Sequence, residues 1–125
     1  TADVKALVME KYPQAVILDI EEDRRGIEVE IRDGGRQKEV LYQKDASGVL
    51  TWVYTMYEVS RYEMNNLPAG VQQALTDLST SGMRVDDVDY FETADGNYYR
   101  IEVDKWGADK YIYVGENGET VQVNL

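Results

Sequence analysis

The sequence predicts an α+β fold of two tandem α-β-β-β-β repeats, an antiparallel sheet with its helices packed on one face. Three observations predict it. The stretch Leu67-Pro68-Ala69-Gly70-Val71 opens a helix halfway along the chain and restarts an order of elements already run through once. Strands of alternating apolar residues, separated by glycine-bearing turns, follow the helix in both halves. The halves also match piece by piece. Asp19-Ile20 recurs as Asp87-Val88 after 68 positions, Ile27-Glu28-Val29-Glu30-Ile31 as Tyr99-Arg100-Ile101-Glu102-Val103 after 72, and Ser47-Gly48 as Asn117-Gly118 after 70. The offset changes only in turns, where insertions are tolerated. Residues 1–60 form repeat one, 61–66 a polar connector and 67–125 repeat two. About 60 residues is marginal for independent folding, so the repeats are expected to share one compact unit.

In repeat one, Val4, Leu7 and Val8 stripe a helix from Asp3 to Lys11, capped by Thr1 or Asp3 and stopped by Pro13. Val16, Leu18 and Ile20 alternate with Ile17, Asp19 and Glu21 in a first strand, turned by the charged run 21–26. Ile27, Val29 and Ile31 alternate with Glu28, Glu30 and Arg32, the cleanest strand of the chain, with one buried and one wet face. Asp33-Gly34-Gly35-Arg36 is a hairpin turn by its glycines. A third strand covers 37–43 and a fourth 49–59. In repeat two, Pro68 starts a helix at or near its first position, with Val71, Leu75 and Leu78 on one face and Ser79 to Gly82 at its end. Val85, Val88 and Tyr90 lead the first strand and Tyr99, Ile101 and Val103 the second. Strands at 110–114 and 120–125 complete the copy.

Composition narrows the function. The net charge of −11 argues against nucleic acid and anionic membranes as partners, and favours a basic one. No apolar run approaches the about 20 residues of a membrane helix. Without Cys or His the chain lacks thiolates, the commonest general base and the commonest metal ligand. Ser47, Ser60, Ser79 and Ser81 therefore have no imidazole to activate them. The clustered Asp86, Asp87 and Asp89 are expected to be solvated in a chain this acidic. Asp45-Ala46-Ser47-Gly48 and Asp95-Gly96-Asn97 offer hard oxygen ligands to calcium, but lack the spacing of an EF-hand loop and read as turns.

Ten Tyr and two Trp against a single Phe give most rings a polar tip. If Val53 points to the helices, strict alternation puts Trp52, Tyr54 and Met56 on the opposite face. Tyr42, aligned with Tyr113, joins them, as does Tyr98. These six residues are the expected protein-binding patch, since Tyr, Trp and Met give large contact area with few rotors. The alternative is that the rings simply pair across strands.

Taken together, Leu67-Pro68-Ala69-Gly70-Val71, Tyr12-Pro13-Gln14-Ala15, Gly26-Ile27-Glu28-Val29-Glu30 and the run Tyr111-Ile112-Tyr113-Val114-Gly115-Glu116-Asn117-Gly118 resemble the beta-lactamase-inhibitor-like, PepSY-like family over essentially the whole chain. Copy one lacks the Leu-Pro before its helix, and copy two has Ser-Thr-Ser-Gly at 79–82 where a Tyr-Pro-like exit is usual. The resemblance implies tandem helix-plus-four-strand units, a periplasmic or secreted location with a signal segment removed, and a sheet face that grips a partner. The expected function is a non-enzymatic, exported protein-binding or inhibitor-like module without cofactor or metal, using its open sheet face on an unknown protein or peptide. The alternative is a structural or sensory envelope ectodomain, self-associating through the same face.

Overall fold

The computed structural model describes residues 2–123. Thr1, one of the two expected caps, and residues 124–125 of the expected last strand lie outside the described residues. The chain divides into two compact units, the first ending at Tyr57 and the second beginning at Glu58. The polar connector thus falls in the second unit, where Arg61–Asn66 winds into a 3-10 helix.

In the first unit, α1 (Ala2–Lys11) is followed by β1 (Val16–Asp23), β2 (Gly26–Asp33), β3 (Arg36–Lys44) and β4 (Leu50–Glu58), each strand antiparallel to the next. Val4 and Val8 lie one turn apart on α1 and meet Ile27, Val29, Ile31, Val40, Ala15 and Tyr42 in one buried cluster. This is the apolar face of the sheet. Pro13 ends the helix, and the Tyr12 amide still reaches the Val8 carbonyl at 2.8 Å.

In the second unit, α2 (Ala69–Thr80) precedes β5 (Arg84–Thr93), β6 (Gly96–Lys105) and β7 (Ala108–Gly115), again antiparallel neighbours. Pro68 stands just before the helix rather than within it, and its carbonyl accepts from the Val71 and Gln72 amides. Gly70 has a steric reason. A Cβ there would lie 2.1 Å from the Asn117 carbonyl oxygen, and one on Gly118 would lie 2.2 Å from the Gly70 carbonyl oxygen. Val71, Val88, Ile101 and Val103 are completely buried.

The ladders match between units. Ile31, Glu30 and Val29 face Ile17, Asp19 and Ile20, while Val103, Glu102 and Ile101 face Val85, Asp87 and Val88. In both, one residue of the first strand is bulged out, Leu18 in β1 and Asp86 in β5. The bulge corrects the expected alternation of β1. Ile17 and Ile20 pack on the core, whereas Val16 and Leu18 are exposed. The turns Asp33 to Arg36 and Lys105 to Ala108 each hold two central residues, so the 72-residue offset carries through the third strands. Tyr42 therefore matches Val114, and Tyr113 matches Leu41, one place from the expected alignment. The fourth strand expected at 120–125 is, within the described residues, a single bridge from Val114 to Thr120 with a Val121-to-Tyr113 hydrogen bond of 3.0 Å.

Candidate functional site

Within the first unit the expected patch residues divide between two faces of the strands, Tyr42 and Trp52 on one and Tyr54 and Met56 on the other. Tyr42 and Trp52 face each other across β3 and β4 on the apolar face, against the α1 core. Tyr42 is buried, and burial pushes its hydroxyl up to about 12. The Trp52 indole N–H donates to the Thr55 hydroxyl at 3.0 Å, Tyr12 bonds the same hydroxyl, and Lys11 stands 3.7 Å above the Trp52 ring. Tyr42, Trp52 and Lys11, with Leu7, Glu10 and Leu50, border an open groove of about 370 Å³.

Tyr54 and Met56 take the opposite face, beside Leu41 and Glu39. A bulge separates the pairs. Leu41 opposes Tyr54 but Tyr42 opposes Trp52, so Val53 is the extra residue and the alternation slips by one. The expectation that Trp52, Tyr54 and Met56 share a face is corrected accordingly. Tyr54 is itself buried and forms part of a floor rather than an exposed handle.

Tyr98 and Tyr113 pair in the second unit, ring centroids 5.8 Å apart and edge to face, with Phe91 stacked on Tyr98 at 5.0 Å. Tyr98 is buried. The large exposed aromatics are instead Tyr62 and Trp106, at 92% and 94% exposure, with Tyr111 about half exposed. Trp106 adopts φ 58°, a left-handed conformation, at the turn position that Gly34 holds in the first unit.

The face of the first unit away from α1 is a charged face. Glu28 and Glu30 on β2 alternate with the core residues, and the ladder sets Glu21 and Asp19 beside them from β1 and Glu39 beside Glu30 from β3. Arg25, in the β1–β2 turn, donates to Glu28 at 2.8 Å and stands 3.7 Å from Asp23. Arg32 lies at the far end of the same face, opposite Val16 and Gln37. Glu39 accepts the Tyr54 hydroxyl at 3.1 Å. A hydrogen bond to Glu39, burial, and the Glu39 charge together push the Glu28 carboxyl up to about 7, against the pull of Arg25. Asp19 heads the causes that raise Glu21, followed by burial and then by Glu28 and Glu30. By alternation Glu28 and Glu30 form a wet strand face, and the β2–β3 register brings Glu39 beside them, a convergence that no local pattern in the sequence marks.

The second unit resolves the same rung differently. Arg100 occupies the place of Glu28, bonds Asp89 through Nε at 3.2 Å and Nη2 at 2.9 Å, and lies 5.0 Å from the ring centres of Phe91 and Tyr111. Asp86, Asp104 and Asp109 converge within 4.8 Å, but Arg84 already pairs with Asp86 and Asp104 at 2.8 and 2.9 Å. Of the clustered Asp86, Asp87 and Asp89, Asp86 pairs with Arg84 and Asp89 with Arg100, while Asp87 stands opposite Glu102. At the other acidic turn, one Asp45 carboxylate oxygen accepts from the Ser47 amide and hydroxyl and the Val49 amide, which holds the loop closed and keeps its acidity strengthened. No helix among the described residues is long and apolar enough to cross a membrane.

No family model and no curated protein matches the chain. Solved structures do. A BLIP-like protein from Bacteroides fragilis superposes with a TM-score of 0.79 at 25% identity, over 98% of this chain and 83% of its own. A DUF2874 family protein from Bacteroides uniformis gives 0.79 at 21% identity, over 98% and 86%. A protein from Bacteroides eggerthii, provisionally described as periplasmic, gives 0.76 at 20% identity, over 98% and 86%. The antiparallel α+β architecture found here is theirs: the chain has the BLIP-like fold.

Proposed function

We propose that the chain is a non-enzymatic, exported protein-binding module, built from two copies of one repeat, whose working surface is the charged face of the first unit. The observation that carries this reading is the convergence of five carboxylates, Asp19, Glu21, Glu28, Glu30 and Glu39, over a buried floor of Leu41 and Tyr54. Two guanidinium groups on that face, Arg25 and Arg32, leave it strongly negative. Such a surface attracts a partner with a basic rim and speeds encounter, an effect that salt weakens. Tyr54 and Met56 keep their proposed place there as the apolar part of the contact; Tyr98 and Tyr113 supply the corresponding part of the second unit. Export is supported by the likeness to the Bacteroides eggerthii protein. An inhibitor-like role follows the likeness to the BLIP-like protein from Bacteroides fragilis.

The test is cross-linking of the chain to envelope extracts, with cross-linked sites mapped by mass spectrometry. Cross-links to another protein should concentrate on β1–β3 and weaken in the charge-reversed variant E21K/E30K. Cross-links confined to other surfaces, or equal capture by that variant, would sink the reading. Cross-links only between copies of the chain would favour the self-associating ectodomain instead.

A further inference from the structure

We propose that the groove between α1 and the β3–β4 pair of the first unit is a binding site for a zwitterionic amino acid with an apolar side chain. The groove lies on the face away from the charged one. The inference therefore goes beyond the reading of that charged face as the working surface and does not depend on it.

The residues that border the groove supply three kinds of chemistry. Leu7, Leu50 and the half-buried Trp52 ring make apolar walls. Glu10 and Lys11 stand exposed on the rim, adjacent on α1, and neither forms an ion pair with a described residue. The Lys11 ammonium rests over the Trp52 ring at 3.7 Å, a contact that leaves its N–H donors open. Tyr42 completes the lining. It is 3% exposed, and its hydroxyl is buried without a hydrogen-bond partner. Burial, then Tyr12 and Glu10, push that hydroxyl up to about 12, so it stays protonated and can donate. A buried donor without an acceptor is costly, and the fold does not require this one. At the matching place in the second unit stands Val114, buried with no polar group to satisfy.

The size and charge of the groove select the ligand. Its volume of about 370 Å³ is at the small end of ligand pockets, which run from about 300 to 1,000 Å³, and gives room for one small molecule. A simple anion would meet Glu10 and a simple cation Lys11, while a wholly apolar ligand would leave the Tyr42 hydroxyl unpaired. A zwitterion answers all three. Its ammonium faces Glu10, its carboxylate faces Lys11 and accepts from Tyr42, and its side chain lies on Leu7 and Leu50. Bonds to charged groups of this kind are stronger than neutral ones. The Tyr42 hydroxyl is closed to water, so a rim side chain must give way as the carboxylate seats. Lys11, exposed and lying over Trp52, can do so, and its movement changes the surroundings of the indole.

The probe is L-leucine, titrated into the intact chain and followed by NMR at the two indole N–H resonances. That of Trp52 should shift and saturate in the millimolar range expected of so small a ligand. That of Trp106, 94% exposed in the second unit, should stay in place. N-acetyl-L-leucine lacks the ammonium and L-leucinamide the carboxylate, so each should bind about tenfold more weakly. Y42F, E10Q and K11M should each lose about fivefold in affinity for L-leucine, whereas K5M, elsewhere on α1, should match the wild type. Melting of each variant checks that it is folded. No saturable shift at Trp52, wild-type affinity in Y42F, E10Q or K11M, or an equal loss in K5M overturns the inference. Equal binding of N-acetyl-L-leucine would make the occupant an apolar acid, and equal binding of L-leucinamide the amino terminus of a peptide; either result overturns it too. All of these outcomes leave the module reading standing, which fails only if the cross-links to extract avoid β1–β3.

Discussion

One rung of each unit shares a backbone and carries opposite charge. At Arg100 the second unit neutralises this rung, since the guanidinium pairs with Asp89 and lies near two rings. At Glu28 the first unit leaves two carboxylates in hydrogen-bonding contact with one turn arginine beside them. The apolar faces behind these rungs are alike, with Val29 and Ile101 both completely buried. The comparison teaches that the fold fixes which side is core, while a single side chain decides whether the other side is satisfied within the unit or needs something from outside. A carboxylate pair near neutrality is a cost to stability, and retention of such a cost is common where a surface works.

The sharpest break in this comparison would come from the apolar side. Ile101→Ala and Val29→Ala are expected to cost about 2–5 kcal/mol each, with Val29 at the lower end because it loses fewer methyl groups. Denaturant unfolding measures both. Midpoints unchanged within error would mean that the faces are assigned the wrong way round.

The next effect belongs to the neutralised rung. Arg100→Met strips Asp89, 15% exposed, of the partner that holds it. A loss of about 1–3 kcal/mol is expected for breaking this partly buried, charge-assisted pair. Combining Arg100→Met with Asp89→Asn should recover most of it. A double variant no better than the single would show that the guanidinium acts through its packing on Phe91 and Tyr111 rather than through its charge.

Glu28→Gln should move stability in the other direction. Glu28 titrates near 7 when folded against 4.5 ordinarily, so the folded chain holds an extra proton between those values. The stability this proton confers is complete below about pH 4.5 and is lost as pH rises through 7. Gln mimics the protonated form at every pH. The variant should match the wild type at pH 4.5 and exceed it at pH 8 by about 1–2 kcal/mol, a figure discounted for solvent screening. Melting curves across that range, with the Glu28 carboxyl followed by NMR, check both halves. A wild-type profile as flat as that of the variant would show that the Glu28 carboxyl is not raised in the folded chain.

Much of this fold is legible in the sequence, for identifiable reasons. Ile27/Val29/Ile31 and Tyr99/Ile101/Val103 alternate without interruption because their strands are unbulged, and a period of two reads directly as a face. Bulges hide because they insert a residue without changing composition. Val16 and Leu18 look inward by alternation, and only the bulge at Leu18 turns them out. The three-residue step from Val85 to Val88 carried the signal, since Asp87-Val88 aligns with Asp19-Ile20. At Val53 no signal existed: Trp52, Val53, Tyr54 and Thr55 all suit a strand, so the slip that sends Trp52 to the core and Tyr54 to the charged face has no compositional mark. Glu28 and Glu39 stand eleven positions apart, and their meeting depends on a two-residue turn whose length the glycines hint at but only the ladder fixes.

The smallest effect tests the one turn in which the units differ in backbone cost. Gly34 and Trp106 hold the same place in the β2–β3 and β6–β7 turns, both at φ near 60°. Glycine adopts that conformation freely, whereas an L side chain brings its Cβ against the following carbonyl at a cost of about 1–2 kcal/mol. Trp106 is 94% exposed and gains no burial to offset the strain. Trp106→Gly should relieve the strain but loosen the unfolded chain, which offsets part of the gain, so a rise of about 0.5 kcal/mol is expected. The reverse change, Gly34→Trp, should lose about 1 kcal/mol for the same reason read backwards. Paired thermal melts measure both. A fall in stability for Trp106→Gly would show that the indole rests on the sheet in solution, and the turns would then differ in packing rather than in strain. A rise leaves the residue without a role in folding and makes the β6–β7 turn the next surface to map by cross-linking.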